Sequence, residues 1–135
     1  MNIIVCLDDH GGMSFFGRRQ SMDRVLREKA VALAGENKLW MSPYSANQFT
    51  DSPEQIVCQK DFLSQAAEDT WCFLETDDIG PWKDSVRRIA VFRWNRLYPS
   101  DRRFPEELLE KRKLLHQEEF SGSSHDRITL EVFDL

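Results

Sequence analysis

Several apolar runs in this chain end in charged residues, and chemistry would sit at those ends. "NIIVCL" meets Asp8 and Asp9, "TWCFLE" carries Glu75 toward Asp77 and Asp78, and "RIAVF" ends in Arg93 with Asn95 two places on. Arg18 and Arg19 follow Gly17, and Asp23 comes shortly after. Arginines hold oxyanions bidentately, and a carboxylate can hydrogen-bond a heterocycle or relay a proton. Together these side chains suit an anionic or heteroaromatic small molecule, provided the fold brings them to one crevice.

Each candidate has a plainer reading. Asp23 in a first helical turn also complements the helix dipole with no further role. Asp8, Asp9 and Glu75 would suit Mg²⁺ or Mn²⁺ at adjacent strand ends, or cap a turn and pair with arginine. His10 beside Gly11 and Gly12 reads as a loop residue, and Trp94 and Tyr98 read as packing. Ser123, Ser124 and His125 contain a nucleophile and a base, but a triad needs a base and an orienting group across space. No phosphate loop, dinucleotide glycine fingerprint, zinc spacing or EF-hand loop is present.

Hydrophobic spacing predicts the elements that must hold these residues. "NIIVCLD" is a strand buried on both faces, and "HGGMSFFGRR" a glycine-punctuated loop. Ser21 is the expected N-cap of a helix through "MDRVLREKAVALA", closed by Gly35. "NKLWMS", "EQIVCQ", "TWCFLET" and "VRRIAVFRW" read as strands, with Pro43 opening a helical turn and "KDFLSQAAED" a short helix between them. "KLLHQEEFSG" and "DRITLEVFDL" alternate as an antiparallel hairpin. "PEELLEKRK" allows one helical turn. Strands alternating with helices predict an α/β fold with a largely parallel sheet.

Composition narrows the function classes. A chain of 135 residues with net charge −5 reads as one domain over 1–135 that repels phosphate backbones, so no nucleic-acid partner is expected. Cys6, Cys58 and Cys72 are three, scattered, and set in apolar runs, which predicts buried free thiols in a reducing compartment. The opening apolar run is too short for a signal peptide, and no run approaches the ~18 residues of a membrane span. The expectation is a cytoplasmic protein with no membrane partner.

The order of motifs resembles dihydrofolate reductase along the whole chain. "IIVCLDDHGGM…GRR" resembles that family's first strand and glycine-bearing loop, and "MDRVLREKA" puts Asp23 in the place of its substrate-binding carboxylate. "ENKLWMSPYSANQF", "DTWCFLE", "RIAVFRWNRLYPSDRRFPEE" and "LLHQEEFSGSSHDRITLEVFDL" follow in the family's order. The resemblance implies a mostly parallel sheet with helices on both faces and a C-terminal antiparallel hairpin. It implies too that "TWCFLET" and "RIAVFRW" flank the first strand, so that their charged ends converge. Where the family carries paired glycines that admit a dinucleotide phosphate, this chain reads "FLETDDIG"; where it carries a basic residue, this chain reads "MSPYS". Those departures predict loss of dinucleotide-dependent hydride transfer. A second pattern, "RRQS…DRV…WNRLYP…SSH", is similar to small bacterial proteins often labelled ribonuclease Z. Members of that family carry clustered metal ligands, whereas the three histidines here stand alone.

The reading is small-ligand binding of heterocycle or nucleotide type. Asp23 and Glu75 are the candidate catalytic groups, and Asp8, Asp9, Arg18, Arg19, Arg93 and Asn95 the candidate ligand contacts. No metal ligand is assigned, and the residues name no cofactor. A metal-dependent hydrolase using Asp8, Asp9 and Glu75 is the alternative, and a non-catalytic interaction domain with a self-satisfied salt-bridge network is another. Homo-oligomerisation stays open.

Overall fold

The computed structural model describes residues 1–135. Its strands are β1 (Asn2–Leu7), β2 (Gly12–Phe15), β3 (Arg18–Arg19), β4 (Leu39–Met41), β5 (Ile56–Cys58), β6 (Trp71–Leu74), β7 (Ile89–Arg93), β8 (Arg102–Arg103), β9 (Lys113–Phe120) and β10 (Ile128–Asp134). Seven form one sheet in the order β5-β4-β6-β1-β7-β10-β9. β1 lies between β6 and β7 and runs parallel to both, while β10 runs antiparallel to β7 and β9. The parallel strands therefore end at one edge, bringing Asp8, Glu75 and Arg93 near the same rim.

β1 is continuous in its hydrophobicity because both of its faces are covered. Ile3, Val5 and Leu7 enter one apolar layer, and Ile4 enters the other. Helices α1 (Arg24–Ala34) and α2 (Pro43–Ala46) supply Leu26, Ala30, Ala34 and Ala46 to the second layer. Turns α3 (Phe62–Gln65) and α4 (Glu107–Glu110) supply Phe62, Leu63, Leu108 and Leu109 to the first. The architecture is the expected mostly parallel α/β sheet with helices on both faces and a closing antiparallel hairpin.

Three local expectations are corrected. The stretch read as a loop is a hairpin, β2–β3, joined by β8 into a separate three-stranded sheet. Asp23, not Ser21, caps α1: its side chain accepts from the Leu26 amide, and Gly35 closes the helix as expected. Cys58 is exposed and Cys6 half-buried, leaving Cys72 as the one fully buried thiol, because β5 is a sheet-edge strand. No helix is long and apolar enough to cross a membrane.

Candidate functional site

Glu75 sits just past the end of β6 at 7% exposure, and β3 delivers Arg19 to it. Arg19 Nε lies 3.0 Å from Glu75 Oε2, and Nη2 lies 3.1 Å from Oε1, a bidentate pair. Gln48 Nε2 donates to Oε2 at 2.8 Å. The Tyr44 hydroxyl accepts from the Arg19 amide at 2.9 Å, and its ring lies 4.3 Å beneath the guanidinium. Burial raises the Glu75 carboxyl above the usual range, with Arg19 pulling the other way. Of the expected crevice contacts, this is the carboxylate–guanidinium pair that forms, and it closes on itself.

Asp8 is 1% exposed and organises backbone. Its Oδ1 accepts the His10 and Gly12 amides, both at 2.8 Å, and Oδ2 accepts Gln20 Nε2 at 2.9 Å. Burial opposes its charge, but the amides of Gly12 and His10 lead a set of donors that hold the carboxyl below its ordinary value. A Cβ on Gly12 would sit 2.6 Å from Ser100 and 2.8 Å from Asp8 Oδ2, so only glycine permits this turn. Asp9 is exposed. Asp8 and Glu75 therefore have separate partners, and no group of three ligating side chains is placed to hold a metal. The hydrolase arrangement is not what these carboxylates form.

Asp23 is 2% exposed and fully engaged. Oδ1 accepts the Leu26 amide at 3.0 Å; Oδ2 accepts the Ser124 amide at 2.8 Å and lies 3.0 Å from Ser124 Oγ. Burial works against the charge, yet the amides of Ser124, Leu26 and Ser123 and the Ser124 hydroxyl bring the carboxyl down to about 2. The β9–β10 turn seals it, since a Cβ on Gly122 would collide with Oδ2. Ser124 Oγ is 2.8 Å from His125 Nδ1, and His125 Nε2 is 2.8 Å from the Tyr98 hydroxyl. Serine, histidine and aspartate do meet, but the carboxylate bonds the serine, not the far ring nitrogen that a triad's orienting acid would hold. In this arrangement the partners of Asp23, expected as proton donor or anchor, are all groups of the chain itself.

Arg93 turns to the hairpin and pairs with Glu131 at 2.8 Å. Asn95, at φ 59°, donates to Thr129 Oγ1 at 3.0 Å. Both therefore find partners on β10, across the strand pair. Arg18 remains exposed and without an ion pair. It lines an open cavity of about 510 Å³ with Phe15, Phe16, Arg19, Gln20, Tyr98 and Pro99. Phe15, Phe16 and Gln20 were not singled out from sequence; Gly17 directly after two aromatics was the signal of a turn tip.

After β6 the chain makes a short 3₁₀ turn, Gly80–Ser85. Asp77 accepts the Glu75 amide at 3.3 Å, and Asp78 accepts the Gly80 amide at 2.9 Å. The Gly80 amide at the start of that turn is thus taken by a carboxylate of the chain itself. No family model matches the sequence, and no curated protein does. Among solved structures the chain is similar to a dihydrofolate reductase from Enterococcus faecalis complexed with NADP(H) and RAB-propyl. The TM-score is 0.68 at 9% identity, over 98% of this chain and 94% of that one. The fold is that of a dihydrofolate reductase.

Proposed function

We propose that this dihydrofolate reductase-like domain binds a small heterocyclic or nucleotide-type ligand and has lost dinucleotide-dependent hydride transfer. The observation that carries the reading is the end of β6. Glu75 is locked to Arg19 and Gln48, and Asp77 and Asp78 accept the amides of Glu75 and Gly80. A pyrophosphate there would meet like charge. The solved neighbour holds NADP(H) on the same fold; this chain's charge pattern argues against that ligand. Space for a small molecule lies instead beside the hairpin, in a cavity within the range of small-ligand sites. Arg18 and Arg19 are the ligand contacts of this reading.

A ligand that prefers the folded state raises its stability. A thermal-shift series of heterocycles, nucleotides and dinucleotides is expected to show stabilisation by members of the first two classes and none by NADPH. Stabilisation by NADPH alone would reverse the assignment. The interaction-domain reading draws on the closed pairs Arg19–Glu75 and Arg93–Glu131 and on exposed Leu114 and Leu115 of edge strand β9. It gains if no small molecule shifts the transition and the chain self-associates.

A further inference from the structure

We infer that the cavity beside the β2–β3 hairpin takes a nucleoside monophosphate, with Phe16 as the stacking face and Arg18 and Arg19 as the phosphate clamp. This rests on the small-ligand reading and adds the ligand class and the residues that choose it.

The hairpin tip is the first observation. Phe15 pairs with Arg18, so Phe16 and Gly17 form a two-residue turn with φ 50° and 69°. Positive φ at both central residues is the type I′ pattern, which favours Asn-Gly. Phenylalanine is strained there. Its ring is 77% exposed and stacks on Phe15 at 4.0 Å, so core packing does not account for it. Asn95, the other non-glycine residue at positive φ, is held by its own hydrogen bonds to Thr129 and Arg127. The strained turn keeps an aromatic face uncovered on a cavity wall, which is what a planar base needs.

Charge and hydrogen bonding set the rest. Arg18 is unpaired, and Arg19 gives Nε and Nη2 to Glu75 and Tyr44, leaving Nη1 without a protein partner. These are the only cations on the cavity wall. A phosphate monoester brings up to two charges and three acceptor oxygens, which two guanidiniums match. Further phosphates would add charge with no further cation, in a molecule of net charge −5. Gln20 donates through Nε2 to Asp8, but its Oε1 is buried without a partner. An N–H donor of a base is the group that would satisfy it, after a small side-chain movement.

Calorimetric titration of AMP, adenosine and inorganic phosphate against wild type, Arg18→Ala and Phe16→Gly tests the assignment. AMP is expected to bind about tenfold or more tighter than either fragment. Arg18→Ala should weaken AMP by about tenfold and leave adenosine unchanged. Phe16→Gly should weaken both AMP and adenosine while raising the thermal midpoint, since glycine relieves the turn. AMP binding untouched by both substitutions would overturn the site. If AMP fails but a neutral heterocycle binds, the monophosphate assignment falls and the small-ligand reading stands; if no small molecule binds, both fall.

Discussion

The hydrogen bonds around His125 predict a ring proton on Nδ1. Ser124 Oγ lies 2.6 Å from the Met22 carbonyl and 3.0 Å from Asp23 Oδ2, both acceptors, so its single proton goes to them. Nδ1 must then donate to Oγ, and bare Nε2 accepts from Tyr98. Nitrogen-detected NMR of the imidazole should report this tautomer at neutral pH; a proton on Nε2 would contradict it. Burial, and then Arg96, lower the His125 pKa, while Asp23 and Asp126 pull it up. A lowered folded value means stability present above the ordinary value of about 6.5 and lost as pH falls. His125→Phe keeps a ring against Trp94, which stacks at 4.5 Å, but cannot charge. The stability gap between wild type and this variant, read from denaturant midpoints, should therefore narrow from about pH 7.5 to pH 5. Asp23→Ala removes a cap and a buried hydrogen-bonded charge, and should cost about 2–4 kcal/mol. An acid near the start of α1 was legible in the sequence. Its burial was not, because the residues that cover it lie about a hundred positions away and only glycine at 122 lets that turn close.

At the scale of elements, Arg19 and Glu75 tie the β2–β3 hairpin to the end of β6. Removing the arginine strands a buried carboxylate, so Arg19→Ala should lose about 3–5 kcal/mol at neutral pH. Glu75 already sits above the usual carboxylate range because of burial. A raised acid favours the fold when protonated, so the penalty in Arg19→Ala should shrink as pH falls toward 4. Arg19→Met with Glu75→Gln should recover part of the loss; a double variant as unstable as Arg19→Ala would show that the tie is not electrostatic. The central strands were readable because burial on two faces demands unbroken apolar runs. The hairpin was not, since Phe16-Gly17 lacks the Asn-Gly chemistry of its turn type, and β3 and β8 are only two residues each. The pairing of Arg93 with Glu131 depends on cross-strand register, which alternation leaves open.

At the scale of the molecule, a seven-stranded sheet with the fold of a dihydrofolate reductase ends in charged side chains that find partners within the chain. The succession of strands and helices could be read from local patterns, and the place of β1 between β6 and β7 from the resemblance to dihydrofolate reductase. Which polar ends would find each other could not, because four of the expected contacts went to nearer partners: Asp8 to its own turn, Asp23 to its helix, Arg93 and Asn95 to the hairpin. On the proposed function, the carboxylates at the end of β6 would repel a dinucleotide phosphate. Calorimetric titration with NADPH tests this most directly. The account predicts no saturation up to about 1 mM, a binding free energy no stronger than about −4 kcal/mol. A micromolar dissociation constant would contradict it.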